Sequence, residues 1–111
     1  MIELPARDLP ALCGAPPLSP PLLLDVREPW EVALAPLCID GASVLAIPLQ
    51  QLPARVAELP AARPLVCVCH HGVRSLHAAA WLERVGYSDV YNLAGGIDAW
   101  SREVDPRVPR Y

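Results

Sequence analysis

Pro64-Leu65-Val66-Cys67-Val68-Cys69-His70-His71-Gly72-Val73-Arg74-Ser75 is the stretch on which the reading of this chain turns. Its first half is apolar and β-prone, as a strand covered on both faces is. A six-residue loop, Cys69 to Arg74, follows, and Ser75 to Val85 reads as a helix. A thiol therefore stands at the carboxyl end of a strand, in a loop whose N–H groups can turn inward, at the positive end of a helix dipole. Such a nest binds anions. It also favours thiolate over thiol, drawing a cysteine from about 8.5 toward roughly 3.5–7.5. Arg74 adds a fixed cation at the far end of the loop. A nucleophile and its anion site share one short segment.

Outward from this segment, strand and helix patterns alternate. Ile2-Leu4 is a short edge strand, and Pro5 to Leu12 a short helix ended by Gly14 and the turn-rich Ala15-Pro16-Pro17-Leu18-Ser19-Pro20-Pro21. Leu22-Leu23-Leu24-Asp25-Val26 is a strand with both faces apolar. Glu28-Pro29-Trp30-Glu31 opens a helix, with Pro29 in its first turn and acids favoured by the dipole. Val44 to Ile47 is a strand, and Pro53 to Leu59 a helix stopped by Pro60. In the helix after the loop, Ala78, Leu82 and Val85 form one stripe with Ala79 beside it, and Gly86 supplies the stop. Val90-Tyr91-Asn92 is the last strand, Ala94-Gly95-Gly96 turns into a helix ending near Trp100, and Asp105 to Tyr111 is a tail. This alternation predicts an α/β fold, a mostly parallel sheet with helices on both faces. Ligands of such sheets sit at the carboxyl ends of strands, where Cys69 falls.

The 111 residues suit one domain, residues 1–111, with a real core. At 53% hydrophobic and 19% charged, the chain is a packed globule rather than a disordered one. A net charge of −3 gives no basic footprint, which argues against nucleic acid as a partner. The acid Glu3 and the absence of an early apolar stretch predict no signal peptide, and the aliphatic runs are too short to cross a membrane. A cytoplasmic location with four reduced cysteines follows as the expectation. Cys13 and Cys38 read as small apolar fillers.

Cys69 could be a buried structural cysteine like Cys67, but Gly72 and Arg74 at this spacing favour a nucleophile. Cys67, Cys69 and His71 alternate, so an extended strand would put all three on one face as metal ligands. A structural zinc site wants a fourth ligand and usually a second pair, and the chain offers no such pair. His70 and His71 are read instead as lining the loop mouth and tuning its charge near neutral pH. Asp25 and Arg27, at the end of the second strand, allow two readings. Either Arg27 is a solvated turn residue, or the two pair and brace the loop, with Asp25 accepting loop N–H bonds. Trp30, Trp81 and Trp100 are expected to pack, and Ser75 to cap its helix rather than to act chemically.

Three motifs in register, Leu23-Leu24-Asp25-Val26-Arg27-Glu28, Cys69 to Ser75, and Asn92-Leu93-Ala94-Gly95-Gly96-Ile97-Asp98-Ala99-Trp100, resemble those of single-domain rhodaneses. The resemblance runs from about Ile2 to Trp100. It implies a three-layer α/β/α fold with a central five-stranded parallel sheet, and a thiosulfate:cyanide-type sulfurtransferase. Cys69 would carry sulfur, and His70, His71, Gly72, Val73, Arg74 and Ser75 would form the substrate loop, with Asp25 and Arg27 supporting it. The implied partners are a small anionic sulfur donor and a cyanide or thiol acceptor, or a protein in either role. No cofactor or metal is implied. One departure is Cys38-Ile39-Asp40-Gly41-Ala42, where family members commonly have His-Ile-Pro-Gly-Ala.

Other function classes share parts of this pattern. A cysteine-dependent phosphatase or arsenate reductase also uses a cysteine–arginine anion loop, although such phosphatases generally place five residues between the two and this chain places four, His70 to Val73. A sulfur-relay or interaction module would keep the fold and dock a partner. A metal-binding protein would use the Cys/His cluster.

Overall fold

The computed structural model describes residues 1–14 and 20–111. The strands β1 (Ile2–Pro5), β2 (Leu22–Asp25), β3 (Ser43–Ala46), β4 (Leu65–Val68) and β5 (Val90–Ala94) form one sheet in the order β1-β5-β4-β2-β3. Each neighbouring pair is parallel. Parallel strands cannot be joined by tight hairpins, so the chain must cross a face of the sheet between them. The helices α1 (Leu9–Gly14), α2 (Pro29–Leu34), α3 (Leu52–Arg55), α4 (Val73–Arg84) and α5 (Gly96–Glu103) lie in these crossings and after β5.

Period-two alternation sorts the side chains into two cores. On one face Val66 and Val68 of β4 pack with Leu23, Leu93, Leu9, Ile97 and Trp100. On the other, Leu65 and Cys67 of the same strand pack with Leu24, Leu52, Ala78, Ala79 and Leu82. Leu23, Leu24, Leu82 and Leu93 are wholly out of water; burial of each such side chain contributes roughly 1.5–3 kcal/mol. This is the expected α/β/α layering. The chain runs from β2 outward to β3 on one side and from β4 to β5 on the other, so the strand order reverses between β2 and β4. The carboxyl ends flanking that reversal form the crevice where open α/β sheets bind ligands. Asp25 ends β2 opposite Val68, the residue before Cys69.

Several sequence-based expectations need correction. The helix expected over Pro53–Leu59 is a short α3 between two 3-10 turns, Leu49–Gln51 and Val56–Glu58. Its apolar residues Leu52, Val56 and Leu59 still face the sheet. α4 begins at Val73 rather than Ser75, with Gly72 as its N-cap. Val85 falls off the buried stripe because α4 ends at Arg84, and it is exposed. α5 runs on to Glu103, past Trp100. Cys38 is exposed rather than a filler. Trp30 does not pack in a core: it is 64% exposed and touches Tyr111 edge-on. The expected turn over Ala15–Pro21 lies largely outside the described residues. Among the described residues, no helix is long and apolar enough to cross a membrane.

Candidate active site

Two glycines set the shape of the loop. Gly72 sits at φ 98° and Gly96, the first residue of α5, at φ 62°, both in the region that L side chains rarely adopt. A Cβ on Gly96 would lie 2.4 Å from the carbonyl oxygens of both Cys69 and His70. Its absence lets α5 approach the loop end-on. The first amides of any helix lack intrahelical partners. Here Ile97 N–H donates to the Cys69 carbonyl (2.8 Å) and Asp98 N–H to that of His70 (3.0 Å). Because peptide units are planar and trans, fixing these two carbonyls on α5 turns the amides of His70 and His71 away from it.

Cys69 Sγ lies at the start of α4. It accepts from the N–H of Gly72 (3.1 Å) and from that of Ser75 (3.3 Å), the third residue of the helix. The sulfur thus does for α4 what a capping side chain does, and it sits where the helix dipole favours negative charge. Ser75 is therefore not the cap expected for it. Its hydroxyl lies 3.2 Å from Sγ and donates to Oδ1 of Asn92 at 2.5 Å. Asn92 in turn donates to the Gly72 carbonyl (3.1 Å) and to the Glu3 carboxylate (3.0 and 3.1 Å). Cys69, Ser75 and Asn92 are all buried.

Arg74 does not stand free. Its guanidinium makes a two-point ion pair with Glu31 of α2, both N···O distances being 2.7 Å. Glu31 is 3% exposed and also accepts from the Glu28 N–H (2.9 Å) and the Tyr111 hydroxyl (3.0 Å). The hydrogen bonds from Arg74 outweigh burial and hold the Glu31 carboxyl at about 2, while Arg74 itself is raised. The tail returns to the site. The Tyr111 ring stacks on His70 (centroids 3.8 Å apart), and His70 stacks on His71 at the same distance. Burial, and then the neighbouring His71, lower the pKa of His70 and so disfavour its charged form.

Asp25 and Arg27 are fully buried and paired, with Arg27 Nη2 donating to Asp25 Oδ2 at 2.7 Å. The solvated reading of Arg27 is wrong, and so is the idea that Asp25 takes loop amides. Its carboxylate accepts instead from the backbone and guanidinium N–H groups of Arg27. Arg27 reaches on to the carbonyls of Glu31 (3.3 Å) and Ala35 (2.9 Å). The pair thus anchors α2, and α2 presents Glu31 to Arg74.

Cys67 lies inside the strand, its thiol pushed up to about 12 by burial and then by Cys69. It does not join Cys69 and His71 on a ligand face. The donors that do come together are His70, His71 and Asp98, but the Asp98 carboxylate already binds Arg102 and Arg110.

Sequence reasoning placed Cys69, Gly72, Arg74 and Ser75 together, and the structure brings them together. It missed Glu31, Asn92, Glu3 and Tyr111 as neighbours of the loop. Gly96 carried a readable signal, since two adjacent glycines before a helix mark a close backbone approach.

The family described as Rhodanese-like domain matches residues 6–103. The chain is 40% identical over 87 residues to a sulfurtransferase of Allochromatium vinosum, covering 78% of each. It is 42% identical over 83 residues to the thiosulfate sulfurtransferase GlpE of Pseudomonas fluorescens, covering 71% of this chain and 69% of that one. Against the probable adenylyltransferase/sulfurtransferase MoeZ of Mycobacterium tuberculosis the identity is 37% over 91 residues, 80% of this chain but only 22% of that protein. Among solved structures, a rhodanese-related protein of Thermoplasma volcanium superposes with a TM-score of 0.77 at 28% identity, over 94% of both chains.

Proposed function

The chain belongs to the rhodanese-like domain family of sulfurtransferases, and from that membership we propose that it transfers a sulfane sulfur through a persulfide on Cys69. The observation that carries this reading is the pair of amides, Gly72 and Ser75, aimed at Sγ at the end of α4. The Cys69 thiolate attacks the outer sulfur of thiosulfate or a similar donor. A new S–S bond forms, the donor's S–S bond breaks, and sulfite leaves with the electron pair. The loop then holds Cys69–S–S⁻. A nucleophilic acceptor attacks the outer sulfur, takes it as thiocyanate or as a new persulfide, and returns the Cys69 thiolate. This is covalent catalysis in two half-reactions.

His70, His71, Gly72, Val73, Arg74 and Ser75 are the residues we assign to the donor, with the loop amides taking its anionic oxygens and stabilising developing charge. Asp25 and Arg27 support the loop at one remove, through α2. Residues 1–111 act as one domain. Val73 in the loop and Trp30 beside Tyr111 are both strongly exposed, which suits an acceptor thiol carried on a larger molecule or a protein. The free thiols of Cys13, Cys38, Cys67 and Cys69 suit a cytoplasmic setting.

Intact-mass spectrometry tests the reading. Thiosulfate should add one sulfur atom to the protein, and cyanide should remove it. A small aryl phosphate should not turn over, because four residues rather than five separate Cys69 from Arg74; the shorter ring of amides should crowd a tetrahedral phosphoryl centre on Sγ, and misplacement of about 1 Å can cost a hundredfold. Cys69-dependent phosphatase turnover comparable to sulfur transfer would overturn the assignment.

A further inference from the structure

We propose that Glu31 sets the donor preference of this site. By holding the Arg74 guanidinium in a two-point ion pair, it cancels the fixed positive charge of the loop. The site is thereby biased away from doubly charged sulfane-sulfur donors and toward singly charged or neutral ones. The inference rests on the sulfur-transfer reading of Cys69 and names the charge class of its donor.

The geometry is specific. Both terminal nitrogens of Arg74 meet both carboxylate oxygens of Glu31 at 2.7 Å, the fork-to-fork arrangement that fixes orientation as well as attraction. Glu31 is held from three sides. The Glu28 N–H and the Tyr111 hydroxyl each donate to its carboxylate, and the Arg27–Asp25 pair anchors the backbone of its helix. A carboxylate so placed cannot swing aside cheaply when a donor arrives.

The other cations near the loop are matched as well. Arg27 is spent on Asp25. Arg102 and Arg110 converge on Asp98, with Glu103 beside Arg102. Glu31 keeps its charge throughout the physiological range, because its carboxyl titrates at about 2, while burial disfavours the charged form of His70. What remains to attract a donor is the set of loop amides, the dipole of α4 and the outer N–H groups of Arg74, whose side chain is 35% exposed. Dipoles of this kind hold one sulfur-bound anionic group well. They offset poorly the cost of stripping water from a dianion such as thiosulfate. Glu31 touches neither sulfur nor donor, so it is a positioning residue that acts through Arg74.

The test compares thiosulfate, a dianion, with benzenethiosulfonate, a monoanion, in cyanide-dependent thiocyanate formation by wild type, Glu31→Gln, Arg74→Gln and the double variant. Removing one negative charge beside Arg74 should lower KM for thiosulfate about tenfold and that for benzenethiosulfonate about threefold. In both cases kcat should stay within about twofold of wild type. Thiosulfate use by Glu31→Gln should also gain a salt dependence between about 0.01 M and 0.15 M ionic strength that the wild type lacks. In the Arg74→Gln background, Glu31→Gln should change neither KM. Equal KM shifts for both donors, or a shift that survives the loss of Arg74, would overturn the proposal. If Glu31→Gln does not fold, the wild type alone decides: a steep fall in thiosulfate affinity with salt means that Arg74 is not neutralised. Failure of the sulfur-transfer reading looks different, since wild type would then form no Cys69 persulfide with either donor.

Discussion

Cys69 Sγ and Ser75 Oγ lie 3.2 Å apart while the same hydroxyl donates to Asn92. A serine hydroxyl has one proton to give. With that proton given to Asn92, the hydroxyl offers Sγ only its oxygen. Once the sulfur is a thiolate, the hydroxyl gains by turning its proton to Sγ. A hydroxyl so turned would join the Gly72 and Ser75 amides as a third donor to the sulfur charge.

Ser75→Ala should leave both amides in place and slow persulfide formation by roughly tenfold, the low end of the ~1.5–3 kcal/mol typical of a hydrogen bond to a charged group. Single-turnover release of sulfite from thiosulfate measures it. An unchanged rate means that the hydroxyl serves Asn92 and the packing alone.

Cys69→Ser should neither take sulfur from thiosulfate nor give it to cyanide, because a serine oxygen forms no persulfide. Cys13→Ser and Cys38→Ser should keep most of the thiocyanate-forming activity. Cys67→Ala is the better choice at the third position, since a serine there would bury an unpaired hydroxyl at a cost of about 1–3 kcal/mol. It too should remain active, as its thiol is pushed up to about 12 and stays protonated. A folded Cys67→Ala protein as inactive as Cys69→Ser would replace the single carrier with a dithiol.

How far the sequence carried these conclusions depended on range. β2 and β4 were legible because a strand buried on both faces leaves a continuous apolar run. The loop was legible because its residues are consecutive. The start of α4 was not, because serine is the usual cap and nothing local reveals that Cys69 Sγ satisfies the amide of Ser75. The Glu31–Arg74 pair joins residues 43 apart. Before the fold is known, Glu31 is only an acid in a first helical turn. Tyr111 lies in a segment without periodicity, so its return to His70 left no trace in the sequence. Residue type alone suggests burial for Trp30, whereas its short helix turns Glu31 inward and Trp30 outward.

Acid should weaken the fold through Glu31. Its carboxyl titrates at about 2 in the folded protein and near 4.3 when unfolded. Between those values the unfolded chain binds more protons, so the stability contributed by the ion pair is complete above about pH 4.3 and is lost as pH falls toward 2. His70, lowered in the folded state, adds an earlier loss beginning below about 6.5 for the same reason of sign. Urea unfolding at a series of pH values should show wild type losing more stability than Glu31→Gln between about pH 4.3 and 2. Parallel profiles would mean that the carboxyl is not held down by Arg74.

Gly96→Ala tests whether α5 shapes the loop. The new methyl would lie 2.4 Å from the carbonyl oxygens of Cys69 and His70, and Gly96 has φ 62°. Both backbones must move, since neither contact is the end of a flexible side chain. The strain of a left-handed non-glycine residue alone is of order 1–3 kcal/mol. The first turn of α5 would withdraw, breaking the bonds from Ile97 and Asp98 that orient the loop peptides. Thermal unfolding should show a loss of roughly 2–4 kcal/mol when steric overlap is added to strain. Sulfur transfer should fall by at least a hundredfold, the usual cost of displacing a reacting group by about 1 Å. Gly86→Ala supplies the comparison. It also sits at positive φ, but its Cβ would meet nothing within 4 Å, so it should lose some stability and keep its activity. If both variants lose activity only in proportion to stability, the loop does not depend on α5. A selective loss in Gly96→Ala shows that the helix start holds the sulfur site in shape.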